Sequence, residues 1–96
     1  MQVVDHEPHA WFLLRDDLGY VLDVNCNQSA VGFSVVVRLT AEETRLLELR
    51  GRTAADNLAR AIQDAPRAYM PRHQGPELDA ATMEAIARWQ SDQPAA

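Results

Sequence analysis

The sequence is short of cysteine. Its single thiol, Cys26, cannot close an internal disulfide, so a disulfide scaffold is excluded and a reducing, cytoplasmic setting is expected. It has no long apolar run. The longest, Ala10 to Leu14, is far below a membrane span, and the opening residues Met1 to Pro8 lack the basic and apolar regions of a signal peptide, so neither membrane insertion nor export is expected. Glycine is sparse. Gly19, Gly32, Gly51 and Gly75 are scattered among the ends of expected elements, with no P-loop, dinucleotide or G-x-S-x-G pattern. Lysine is absent altogether. All nine basic residues are arginine, which together with abundant alanine suits a G+C-rich, bacterial coding sequence.

What is present is ordinary for a globular chain. Of 96 residues, 47% are hydrophobic and 24% charged, which argues against wholesale disorder, and the length fits one domain spanning 1–96. The net charge is −5, distributed unevenly. Acidic residues dominate 1–49 and 74–96, whereas 50–73 carry five arginines against two aspartates. Nucleic acid is therefore not an expected partner of the chain as a whole.

The first third reads as strands. Ala10–Leu14 is apolar, Asp16-Asp17-Leu18-Gly19 is a hairpin loop, and Tyr20, Leu22, Val24 and Cys26 alternate with Asp23 and Asn25, which are expected to face solvent. Asn25 to Ser29 reads as a turn. Gly32–Leu39 reads as a third strand, with Phe33, Val35, Val37 and Leu39 on one face.

Helical spacing follows. Thr40-Ala41-Glu42-Glu43 is a capping box, Leu46, Leu47 and Leu49 form an apolar stripe, and Gly51 is a stop. Thr53 is expected to cap a second helix, in which Ala55, Leu58, Ala59 and Ile62 share a face before Pro66 ends it. A third helix is expected from Leu78 or Asp79, with Met83, Ile86, Ala87 and Trp89 inward, and 91–96 as a frayed tail. The expected fold is α+β: a three-stranded antiparallel sheet, after an irregular lead-in at 1–8, followed by three helices on one face.

The helix pair from Leu39 through Leu46-Leu47, Gly51, Thr53 and Leu58-Ala59 to Ile62 resembles the opening of a LuxR-type helix-turn-helix. The resemblance covers about a quarter of the chain and would imply a DNA-binding regulator acting through Thr40–Ile62. That family continues directly into a helix that enters the major groove. Here Pro66, Pro71 and Pro76 fill that stretch, and an interior proline costs a helix about 3 kcal/mol.

Residues 66–78 read as a long proline-stiffened loop carrying Arg67, Tyr69, Arg72 and His73. Arginine forks suit carboxylate or phosphate, and tyrosine makes a stiff amphipathic contact, so these four are the candidate binding residues. The competing reading is a structural crossover. Asp23-x-Asn25-x-Asn27 begins like a calcium loop but lacks its glycine and terminal glutamate, and His6-x-x-His9 lacks companion ligands, so no metal or cofactor is expected. Cys26 fits a buried hydrophobe better than a nucleophile. No catalytic set is visible. The sequence points to a small acidic, non-enzymatic protein-binding module of the immunity or adaptor kind, with a basic protein as its partner. A ligand- or anion-binding domain at 66–78 is the further alternative. Self-association through an uncovered sheet face would also fit.

Overall fold

The computed structural model describes residues 1–26, 33–73 and 75–93. Four strands, β1 (Gln2–Glu7), β2 (Trp11–Asp16), β3 (Gly19–Cys26) and β4 (Phe33–Arg38), form one antiparallel sheet in the order β1-β2-β3-β4. Helices α1 (Ala41–Arg50), α2 (Arg52–Asp64), α3 (Pro66–Tyr69) and α4 (Pro76–Asp92) follow, with a 3-10 turn over Met70–Arg72 between the last two. The fold remains α+β, but the expected three strands and three helices are corrected to four of each. Of the turn expected at Asn25–Ser29, Asn25 and Cys26 belong instead to β3, where they pair with Ser34 and Phe33, and the rest of it lies outside the described residues, as does the expected Gly32 start of the third strand.

The additional strand is β1, inside the segment read as an irregular lead-in. It escapes the alternation rule because it is a short edge strand, half-exposed and interrupted by a bulge between Val3 and Asp5. A distant residue fastens it. Arg52, the first residue of α2, donates to the Asp5 carboxylate at 2.8 Å, the His6 carbonyl at 2.9 Å and the Glu7 carboxylate, and lies over the Trp11 ring.

The β2–β3 hairpin turns on Asp16. Its carboxylate accepts the Leu18 and Gly19 amides at 2.9 and 3.1 Å, and Gly19 takes a φ of +136° that side chains with a Cβ resist. Arg38 at the end of β4 grips both oxygens of the same carboxylate at 2.9 and 2.7 Å.

Helices cover both faces of the sheet, not one. Alternation assigns Trp11, Leu13, Leu22, Val24, Val35 and Val37 to one face, where they meet Leu47 of α1 and Ala55, Ala59 and Ile62 of α2. The intervening residues Leu14, Val21 and Val36 point to the other face and pack against Ala85 of α4, with Phe12, Leu78 and Ile86 alongside. The face on which self-association was expected is therefore occupied by α4.

The capping box of α1 is formed: the Glu43 amide donates to the Thr40 hydroxyl at 3.1 Å, and the Thr40 amide donates to the Glu43 carboxylate at 2.9 Å. Gly51, at φ +62°, ends α1 and starts α2 at once, so Thr53 lies inside the first turn of α2 rather than capping it.

The expected loop at 66–78 is mostly helical. Pro66, Pro71 and Pro76 each stand at the first or second position of a helical piece, where a missing N–H costs nothing. Proline punctuation reads alike for a loop and for a succession of helix starts. In α4 the inward positions are Thr82 and Ala85, fully buried, with Ile86 and Trp89 partly so, whereas Met83 and Ala87 are exposed. Thr82, Ala85, Ile86 and Trp89 keep helical spacing, but the leading position is polar and so concealed the register.

Candidate functional site

The four candidate residues at 66–78 do not gather into one open surface. Arg67 is exposed on α3. Tyr69 is half-buried against the α1–α2 core, with the Arg72 guanidinium 5.9 Å from its ring centre. Arg72 donates to both oxygens of Glu43 at 3.0 and 2.6 Å and to the Arg38 carbonyl at 3.0 Å. Burial opposes ionisation of Glu43, but Arg72 and the Thr40 amide outweigh it and hold the carboxyl below its ordinary range.

His73 turns the other way. It makes a bridge to Val37 on the β4 edge, its Nδ1 accepts the Val36 amide at 3.1 Å, and its Nε2 lies 3.0 Å from Asp79 of α4. An Nδ1 that accepts carries no proton, so Nε2 holds the hydrogen and donates it to Asp79. Consecutive side chains thus bind the helix layers on opposite sides of the sheet.

Two of the recesses beside the sheet lie against the helix layers. The first is an apolar cleft of about 260 Å³ between α1 and α2, floored by Leu13 and Leu22 and walled by Leu39, Leu46, Leu47 and Leu58. Glu43, Arg50 and Asn57 contribute its polar lining. Only Leu47 of α1 is fully buried, while Leu46 is 37% and Leu49 74% exposed. A signal for this was present. Leu46, Leu47 and Leu49 cannot all share one helical face, so an α1 that docks through Leu47 must present leucine to solvent.

The second recess, about 490 Å³, lies under α4 and is lined by Phe12, Asp23, His73, Asp79, Thr82 and Ile86 among others. Asp23 is not a solvent-facing strand residue. It stands between Phe12 and Val36 in the strand register, facing α4. Burial, reinforced by the charge of Asp79 and only partly offset by a Ser34 hydrogen bond and by His73, pushes its carboxyl up to about 6. Asp23 Oδ1 and Asp79 Oδ1 are both buried with no hydrogen-bond donor among the described residues.

The remaining sequence candidates have structural places. Cys26 is fully buried, and burial, with the nearby Asp23 charge, raises its thiol. The His6 ring stacks on Phe12 at 5.5 Å and meets Trp89 edge-on at 4.5 Å, while His9 occupies the exposed β1–β2 turn at φ +66°. Asn27 lies outside the described residues. Among the described residues no group of three His, Cys, Asp or Glu side chains could hold a metal ion, and no helix is long and apolar enough to cross a membrane. The helix that follows the α1–α2 pair has four residues, and Arg52 of that pair is engaged by β1. Comparison with protein-family models, with curated proteins and with solved structures returned no match.

Proposed function

We propose that this chain is a small, non-enzymatic protein-binding domain of the immunity or adaptor kind, which takes an apolar side chain of a basic partner protein into the α1–α2 cleft. The observation that carries this reading is the leucine-lined cleft with Leu46 and Leu49 exposed on α1, an arrangement suited to an aliphatic or aromatic anchor. The net charge of −5 supplies long-range attraction for a cationic partner and sets no geometry by itself. Arg67 and Tyr69 flank the far end of α2 as secondary contacts, and Arg72 and His73 hold the scaffold. A cytoplasmic location accompanies this reading, since a lone buried thiol needs no oxidising compartment.

The test is affinity purification from the native host at low salt, followed by titration of the recovered partner in purified form. Leu46→Asp, at the cleft wall and 37% exposed, should weaken the partner at least about tenfold, and Leu49→Asp, outside the cleft lining and 74% exposed, should change stability by less than about 0.5 kcal/mol and weaken the partner less. Raising the ionic strength should slow association. Recovery of no partner, or a partner indifferent to Leu49→Asp and Leu46→Asp alike, overturns the proposal.

A further inference from the structure

The two edges of the sheet are closed in different ways. The Asn25 amide donates to the Ala10 carbonyl at 2.9 Å, so Ala10 bonds toward β3, and alternation gives Phe12 the same direction. His6, the β1 partner of Phe12, therefore turns both its N–H and its C=O away from the sheet. At the other edge the Leu39 amide donates to the Tyr20 carbonyl at 3.0 Å, and the same alternation turns Val36 and Arg38 outward. On β4 the chain itself covers these groups: His73 bridges to Val37, its Nδ1 accepts the Val36 amide at 3.1 Å, and Arg72 donates to the Arg38 carbonyl at 3.0 Å. On β1 the covers among the described residues are side chains alone. The Asp5 carboxylate accepts the His6 amide at 2.8 Å, and Arg52 donates to the His6 carbonyl at 2.9 Å and to the same Asp5 oxygen at 2.8 Å. An edge strand whose backbone groups come free is a template for another strand. We propose that β1 is a latent pairing edge held shut by Asp5 and Arg52, and that without them it adds antiparallel to β1 of a second copy of this chain, with the two His6 residues opposite each other.

The edge chemistry selects a second copy. His6 offers one donor and one acceptor, so two copies related by a twofold axis satisfy both groups of each in a single exchange. In that register Asp5 stands opposite Glu7 of the second copy, and like charges directly opposite oppose pairing. Arg52 neutralises both acids, but from the position that blocks the His6 carbonyl. Removing Arg52 alone therefore uncovers a repulsion. Removing Asp5 and Arg52 together frees both His6 groups, leaves Glu7 facing a methyl group and keeps the net charge of −5. Pro8 and the bulge between Val3 and Asp5 keep the ladder short, so pairing is read at high protein concentration. Neither Asp5 nor Arg52 lines the α1–α2 cleft, so this edge is separate from the surface proposed for a partner protein.

Sedimentation equilibrium of the full chain over a range of concentrations, combined with amide exchange at His6, tests this. The wild type should stay a single copy, and so should Thr40→Ala, which loosens α1 without touching β1. Asp5→Ala/Arg52→Ala should dimerise, with exchange of the His6 amide slowing as concentration rises. Its dimer should be about tenfold tighter than that of Arg52→Ala, which retains the repulsion and leaves the His6 amide capped. Should the double variant not fold, Arg52→Ala across a salt series is the second arm. Salt screens the repulsion between Asp5 and Glu7, so pairing should strengthen with ionic strength while the wild type does not respond. Four results overturn the proposal: a folded double variant that stays single at every concentration, or in its place an Arg52→Ala protein that stays single at high salt; a dimer whose His6 amide exchanges as fast as in the single copy; equal pairing by Thr40→Ala; or a wild type that itself pairs through β1.

Discussion

The two faces of the sheet are built from alternate residues of the same strands, yet they are held by different physics. Toward α1 and α2 the contact is apolar: Trp11, Leu22, Val24, Val35 and Ile62 are buried, and the polar ties lie at its margin. Toward α4 the apolar contact is smaller and is punctuated by Asp23, His73, Asp79 and Thr82. Dispersion and water exclusion hold the first face, whereas the second combines a smaller apolar contact with hydrogen bonds of partly buried polar groups.

The largest effect should come from the apolar face. Trp11→Ala removes a buried ring together with its indole contact to Asp56 at 3.4 Å and its stacking with Arg52, and should cost about 3–5 kcal/mol in denaturant unfolding. Its dependence on pH between 5 and 7.5 should match that of the wild type, because Asp23, raised to about 6, lies across the sheet. Next is the tie at the margin. Arg72→Ala leaves Glu43 without its guanidinium, in a pair only partly shielded from water, and should cost about 1–2 kcal/mol by thermal unfolding. Thr40→Ala removes one half of the α1 capping box and should cost about 1 kcal/mol.

A fourth effect separates acid from neutral behaviour. The Arg38 hydrogen bonds, helped by the Leu18 and Gly19 amides and opposed by burial, hold Asp16 at about 2. Its contribution is present above the ordinary aspartate range and disappears as pH falls from about 4 toward 2. Asp16→Asn should therefore flatten the acid limb of the stability profile and leave the change between pH 5 and 7.5 untouched. The smallest effect is at Leu18, 81% exposed in the hairpin turn, where Leu18→Lys should stay within about 0.5 kcal/mol by the same unfolding assay.

Most of the apolar face was legible from spacing. Period-two alternation groups Tyr20, Leu22, Val24 and Cys26, and helical i, i+3, i+4, i+7 spacing groups Ala55, Leu58, Ala59 and Ile62 as the inner side of α2, because burial on one side leaves these imprints in sequence. The second face left a weaker imprint. Asp23 is expected to face solvent because a carboxylate inside a sheet layer is uncommon, and in α4 the spacing finds Ile86 and Trp89 but puts Met83 and Ala87 inward in place of Thr82 and Ala85, because a threonine leads the buried stripe. The edge strand was illegible for another reason: what secures it is Arg52, some 45 residues away along the chain. Of the candidate site, Arg72 and His73 stood out by residue type, but their commitment to Glu43, Val36 and Asp79 depends on distances that composition does not encode. That α1 leaves leucine exposed was implicit in three leucines that cannot share one side of it.

The neighbour-to-neighbour strand order has a temporal consequence. Every sheet pairing joins segments adjacent in sequence, so loop closure costs little and pairing is fast. During synthesis the hairpins can zip in the order in which they leave the ribosome, before any helix exists to cover them. The amphipathic segments that follow then serve as lids on the sheet, and α4, made after the other helices, covers the layer containing Asp23.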